Sequence, residues 1–294
     1  MEETEDLRKG ICCILLSVVF YAAANTFVRL SGDLPAIQKT FFRSIVAAVF
    51  AFLSLIKSGE KLAYEGKDIP LLVLRSAVGM TGLLLSYYAI DHLALSDATI
   101  LGKTAPFFTI LFSALFLKER FMARQGLLVL GAFIGALFVI KPSFSNALLF
   151  PSVIGFLGGM ATGAAYAAVH ALGRRGVPGG KIVLFFTLFT VITAMPLVAL
   201  TYVPMTIWQL LMLLMVGLFS TGGLFSVAAA YRYAAPGDIS IYEYTEIVLS
   251  QLIGFFLFSQ LPDALSVLGY CVIIAMAFLM FLFNRRDIQK QTRK

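Results

Sequence analysis

The sequence predicts an all-α integral membrane protein: ten transmembrane helices as two inverted five-helix repeats, with the N- and C-termini cytoplasmic. Three observations point there. First, the 294 residues are 60% hydrophobic and only 13% charged, with a mean hydropathy of +0.90. A soluble domain carries about 25% charged residues, so this chain cannot cover itself with polar surface and its solvent must be lipid. Second, apolar runs near the length of about 20 residues that spans a bilayer recur ten times. Third, particular residues repeat between the first and second halves at a nearly constant offset.

The ten runs lie at 10–30, 36–56, 69–90, 94–117, 124–141, 151–173, 181–201, 207–231, 237–259 and 264–284. Their connections are short, which leaves no room for a separate soluble domain. The basic stretch 57–68 is the one loop of any size, and 285–294 reads as a polar, basic, cytoplasmic tail. Arg8 and Lys9 precede an apolar run that ends in Ala22, Ala23 and Ala24, but the acidic residues before them and the repetition of this segment later speak against a cleaved signal. With the N-terminus inside, 17 of the 23 Lys and Arg residues fall on the cytoplasmic side and four outside. Arg75 and Lys103 remain within helices. Such a bias orients the bundle and requires an even number of spans. The net charge of +7 is scattered through short loops, so it speaks for membrane orientation and not for nucleic acid. Cys12, Cys13 and Cys271 sit in apolar runs with neither metal nor redox spacing.

The repeat is read from ordered matches. Tyr21, Asn25 and Arg29 correspond to Tyr166, His170 and Arg174 at an offset of 145, and Asp97 and Thr104 to Asp238 and Thr245 at 141. Residues 1–142 form one repeat and 151–284 the other. An odd number of helices in each inverts the second half, the plan of many secondary transporters. Inversion also explains why the basic LKERFMAR after the fourth run has an uncharged-to-acidic counterpart, FSQLPDAL, after the ninth.

Two stretches then hold ionisable groups where lipid disfavours them: SDATILGKTAPFFTI from Ser96, and GDISIYEYTEIVLSQ from Gly237. A charge at mid-bilayer costs roughly 2.5–3.5 kcal/mol on insertion scales. Helical rise puts Lys103 and Glu246 each about 14 Å from opposite membrane faces, near the midplane, with Glu243 one turn from Glu246 on the same side. These three could clamp a zwitterionic or cationic metabolite, a glutamate could carry a coupling proton, or the lysine and glutamates could form a structural ion pair between helices. Tyr21 and Asn25 share a stripe of helix one, and Tyr166 and His170 the equivalent stripe of helix six. Tyr88, Tyr242 and Tyr244 could wall the same cavity. Arg75, about 9 Å into its helix, could snorkel back to the cytoplasmic surface or pair with Glu243, and pairing is the expectation. Lys39 and Arg43, four apart, could attract an anion from outside, but the expectation is a solvated, snorkelling pair, and Arg29 is expected to be an orientation signal. Gly155, Gly159 and Gly163, like Gly131 and Gly135, form small-residue ridges for close helix contact. Pro106 should kink its helix, and since Ile247 stands at the matching position the kink should be confined to the first repeat.

These residues carry a resemblance. RSAVGMTGLLLSYYAIDHLALSDATIL from Arg75, Pro106, LFLKE ending at Glu119, YAAVHALGR from Tyr166 and YEYTEIVLSQLIGFFLF from Tyr242 are similar to the EamA-type, ten-helix branch of the drug/metabolite transporter superfamily. Within it the chain looks most like the group with S-adenosylmethionine-type and organic-anion carriers. The resemblance covers nearly the whole chain. It implies a secondary transporter moving a small polar or amphiphilic metabolite, such as an amino acid, amine, S-adenosylmethionine-like compound or organic anion, by alternating access in the cell (inner) membrane, with a proton or other ion as a possible coupling partner and no cofactor. One departure stands at the end of the ninth run, where Ser259 and Gln260 replace the family's frequent Gly-Glu pair.

Other functions are less well supported. No G-x-x-x-x-G-K-[ST] motif occurs, so no nucleotide-driven pump is indicated. An intramembrane enzyme would need a nucleophile or metal constellation. H-E-x-x-H and G-x-S-x-G are both missing, and His92 and His170 lie toward opposite faces. A channel or lipid scramblase on the same fold is the main alternative.

Overall fold

The computed structural model describes residues 2–59, 63–117, 123–140, 148–233 and 240–292, and among them the regular structure is entirely helical. The elements are α1 (Glu2–Leu30), α2 (Ala36–Ser58), α3 (Ile69–His92), α4 (Leu95–Gly102), α5 (Ala105–Leu117), α6 (Ala123–Ile140), α7 (Leu149–Arg174), α8 (Gly179–Thr201), α9 (Ile207–Tyr233), a 3-10 helix (Ser240–Tyr244), α10 (Thr245–Phe258) and α11 (Ala264–Thr292). Seven stretches are long and apolar enough to cross a membrane: Arg8–Leu30, Ala36–Lys57, Ile69–His92, Leu149–Gly173, Gly179–Thr201, Ile207–Val227 and Ala264–Phe283. α6 contributes a shorter apolar stretch, Gly126–Ile140. Large side chains such as Leu200, Ile207 and Phe256 stand exposed, as lipid-facing residues do. α11 continues into the segment expected to be a separate tail.

The two runs carrying buried charge are not continuous α-helices. The first is divided into α4 and α5 at Lys103 and Thr104. Pro106 has no N–H to offer the carbonyl of Gly102, and the ladder tightens before it, with the Thr104 N–H donating to Leu101 O at 3.2 Å. The second run changes from 3-10 to α between Tyr244 and Thr245, 141 residues beyond the first break and without a proline. A change of helix type thus stands in the second repeat too, at the position matching the first break. Proline is one way to interrupt a helix, and a 3-10 entry turn is another. The Tyr244 hydroxyl donates to the carbonyl of Lys103 at 3.3 Å, so the interruptions touch.

α10 ends on Ser259 at φ 52°, a left-handed residue where glycine is usual. The N–H of Gln260 then reaches back to Gly254 O at 2.9 Å. The Gln260 side chain accepts the N–H of Leu95 at 3.0 Å and so caps α4. The Ser-Gln departure from the family pattern thus keeps the turn geometry and adds a neutral cap.

α1 lies along α9, α3 along α7, α2 along α8, α6 along α11, and α4 along α10. The small-residue ridges make the close contacts. A Cβ at Gly159 would stand 2.6 Å from Leu101 O and 2.5 Å from Thr104 Oγ1, and one at Gly163 would stand 2.7 Å from Ala105 O. α7 therefore presses its glycine face against the broken α4–α5 segment. Gly135 and Gly269 bring α6 and α11 together in the same way.

Gly159→Ala should therefore lower the melting temperature of the detergent-solubilised protein, the overpacking cost being about 1–3 kcal/mol. Gly173→Ala, where an added methyl meets no atom within 4 Å, should leave it unchanged. Fluorescence-detected size-exclusion melts of the two variants check this.

Candidate functional site

Lys103 is the C-cap of α4 and Glu246 lies in the first turn of α10. Each charge stands at the helix end whose dipole favours it. Lys103 Nζ donates to Glu246 Oε2 at 2.6 Å, with side chains 17% and 5% accessible. Asn25 of α1 donates to the other carboxylate oxygen of Glu246 at 3.1 Å. Beside them in the sequence, the Thr99 and Ser250 hydroxyls are hydrogen-bonded at 3.0 Å and tie α4 to α10 again. Three elements thus converge on one carboxylate, and the sequence-predicted Lys103, Glu246, Asn25 and Tyr244 are brought together.

Tyr166 lies beside this cluster. It keeps 52% of its surface accessible, yet its electrostatic neighbours are Glu243, Lys103, Arg75 and Arg43, and it is in turn a neighbour of Tyr21. Those groups sit on the 3-10 helix, the end of α4, α3, α2 and α1. Groups from five elements therefore lie around one accessible ring, the surroundings expected of a shared internal hollow. Tyr21, whose ring rests against Gly223 of α9, lines the same region with Glu243 and Glu246 among its neighbours.

Other expected residues lie elsewhere. Tyr88 stacks on His92 at 4.0 Å between ring centroids and meets Phe150 edge-on, near the end of α3. Its neighbour Tyr87 is the buried one, with Arg43 and Asp91 close to it. Tyr242 packs beside Ile14 and Ala230, between α1 and α9. His170 is carried by α7, but its side chain, like that of Arg174, lies outside the described residues, as does Asp238. Arg75 does not make the expected pair with Glu243. Its guanidinium lies over the Phe186 ring at 3.9 Å because α3 turns this face toward α8.

Sequence reasoning missed a second charged cluster. Lys39 is fully buried and donates to Asp91 at 2.6 Å and to Val28 O at 3.3 Å. Arg29 donates to Ile90 O at 2.9 Å and to Leu93 O, closing the last turn of α3, and lies over Phe258. Neither is the snorkelling or orienting cation expected. Spacing alone could not distinguish a lysine that leaves its helix for solvent from one that turns inward to an aspartate 52 positions away. An acid inside the third apolar run was the available signal. Apart from both clusters, an apolar cavity of about 410 Å3 opens between α5, α6 and α7, lined by Phe107, Phe108, Leu130, Phe133 and Phe156. Among the described residues, no ionisable group borders it.

Comparison with known proteins agrees with this architecture. The profile of the EamA-like transporter family matches residues 8–141. The pseudopaline exporter CntI of Pseudomonas aeruginosa is 31% identical over 270 residues, spanning 91% of this chain and 94% of that protein. The chain belongs to the EamA-like transporters of the drug/metabolite transporter superfamily. An S-adenosylmethionine uptake transporter of Rickettsia bellii is 20% identical, with 96% of each chain covered. A solved crystal structure superposes with a TM-score of 0.64 at 16% identity, over 94% of this chain and 98% of the other, a likeness of fold. The chain is thus a multi-pass membrane protein of the transporter class, in the inner membrane, and its relatives are named as transporters, not enzymes.

Removing one partner of a buried ion pair leaves the other charge uncompensated, at a cost of about 3–5 kcal/mol. Lys39→Met should therefore melt well below the wild type, and Lys39→Met combined with Asp91→Leu should regain most of the loss. Thermal melts of the single and double variants in one detergent test this.

Proposed function

We propose that this protein is a secondary transporter that carries a small polar or amphiphilic metabolite across the membrane by alternating access. The observation that carries the reading is the Lys103–Glu246 ion pair where two interrupted helices meet, beside the hollow faced by Tyr166. Interrupted helices meeting near the middle of a bundle are where secondary transporters hold substrate. The pair is both latch and receptor: a charged substrate that competes for Glu246 or Lys103 loosens the junction between α4 and α10 as it binds. Tyr21, Asn25, Tyr166 and Glu243 complete the site. Relatives named for pseudopaline and S-adenosylmethionine are consistent with a charged, metabolite-sized cargo and leave its identity open.

The wider plan is ten spans in two inverted repeats, 1–142 and 151–284, with cytoplasmic termini and a basic tail. Helix pairing supports it. Under the repeat, α1 corresponds to α7 and α3 to α9, so the contacts α1–α9 and α3–α7 are images of each other. The contacts α2–α8 and α6–α11 map onto themselves. Tyr244 and Lys103, equivalent at an offset of 141, touch. A rocking motion of one half against the other about this point exposes the hollow to each side in turn, coupled to a proton or ion gradient or to exchange.

The test begins with a thermal-shift screen of metabolites on purified protein, followed by counterflow of the stabilising compounds in proteoliposomes. Saturable counterflow is expected, and linear, non-saturating flux or lipid flipping alone would overturn the carrier reading. Glu246→Gln and Lys103→Ala should insert normally and cut uptake by about tenfold or more, the effect of losing roughly 1.4 kcal/mol. Wild-type rates in both would remove the pair from the mechanism.

A further inference from the structure

Two arginines in this region are unmatched among the described residues. Lys103 and Glu246 satisfy each other. Arg43 of α2 and Arg75 of α3 have no such partner among the described residues. Nε of Arg43 and both Nε and Nη1 of Arg75 are buried without a hydrogen-bond acceptor among the described residues. Buried polar groups in folded proteins are nearly always paired, so three orphaned donors on two arginines call for an explanation. Arg75 is not loose, because Phe186 holds the face of its guanidinium at 3.9 Å. A face-on aromatic contact fixes the plane and leaves the edges, where the N–H groups lie, without acceptors. The charged neighbour of Arg75 is Arg43, and neither glutamate is in its field. Two like charges facing the same tyrosine, Tyr166, repel each other, and an anion held by both guanidinium groups would relieve that repulsion.

The chemistry of that anion follows from the donors. Planar guanidinium forks match the two oxygens of a carboxylate. A single negative charge also fits the balance, since Arg43, Arg75 and Lys103 stand against Glu243 and Glu246 among the described groups of the hollow. A phosphate monoester, carrying about −1.5 to −2 at neutral pH, would overshoot it. Tyr166, half accessible beside both arginines, offers a hydroxyl to the same group.

We propose that Arg43 and Arg75 form an oxyanion subsite that receives the carboxylate of the transported molecule, so the cargo is a carboxylate-bearing metabolite whose remaining polar groups lie toward Glu243 and Glu246. This rests on the carrier reading above. It assigns Arg43, which the sequence placed at the surface, to substrate specificity, and it explains Arg75 without an acidic partner.

The test uses the full-length protein in detergent and matched probes: free amino acids and dicarboxylates, the corresponding amides, the decarboxylated amines, and inorganic phosphate. One or more carboxylates should stabilise the wild type, with their amides and amines ineffective. Arg43→Gln and Arg75→Gln should each weaken that binding by about tenfold or more, and Arg75→Lys should retain part of it. Ligand-free Arg75→Gln should melt at or above the wild type, because it removes a charge whose donors are unmatched. The subsite is overturned if no carboxylate stabilises the wild type, if amides or phosphate match the effect, or if binding survives Arg75→Gln. A ligand-free melt that falls while carboxylate binding persists marks a structural arginine and overturns it too. Counterflow separates this from the parent reading. An amine carried equally by wild type and Arg75→Gln sinks the subsite and keeps the carrier, whereas a carboxylate bound in this way but never carried keeps the subsite and sinks the carrier.

Discussion

The contact between Lys103 and Glu246 governs the arrangement of the bundle's centre. Neither charge is tolerable alone in a hydrocarbon medium, and each sits at the end of a helix whose dipole favours it. Those ends exist because both segments are interrupted, and interruption leaves backbone groups that lipid cannot satisfy. The protein answers from within. Tyr244 donates to the Lys103 carbonyl, Gln260 caps α4, and Thr99 and Ser250 join the two segments again. The glycine face of α7 follows from the same constraint, since a side chain at Gly159 or Gly163 would strike the carbonyls of the broken segment.

Most expected apolar runs and observed helices agree in their bounds, α1 and α11 running past theirs and two runs being divided, because lipid imposes a minimum length that shows as hydrophobicity. Lys103 and Glu246 were legible for the complementary reason: a charge deep in such a run is costly and must have a partner. What could not be read was orientation about each helix axis. In a soluble helix the apolar stripe marks the core, but here lipid and neighbouring helices are both apolar, so α3 and α9 carry no stripe to follow. Tyr88 was therefore expected at the centre where its neighbour Tyr87 is buried, and Arg43 was expected to snorkel although its Nε is buried. Lys39 and Asp91 were lost in the same way, their pairing depending on which face α2 shows to α3.

The two ends of the bundle are fastened differently. Around Asp91 the fastening is buried and ionic, with Arg29 and Lys39 reaching backbone carbonyls of α3 and α1. At the other end, Arg175 meets Asp68 at 3.3 Å with the arginine half exposed, and Lys181 and Tyr64 exchange hydrogen bonds between 63–64 and the start of α8. Ion pairs reached by water are weak, and buried ones are costly to break. The two closures therefore differ in how readily they open, which biases any rocking bundle toward one access state in the absence of cargo.

The touch between Tyr244 and the Lys103 carbonyl has a geometric corollary. On the proposed inverted-repeat plan, equivalent residues that touch lie close to the two-fold axis relating the halves. If such halves exchange shapes, atoms near that axis travel least and atoms far from it travel most. A spectroscopic reporter at this spot would stay quiet through a turnover, whereas the same reporter near Asp91 or Asp68 would register the full swing. In the proposed mechanism the still centre is also where the cargo waits, so the molecule would transport by moving its walls around a nearly stationary passenger.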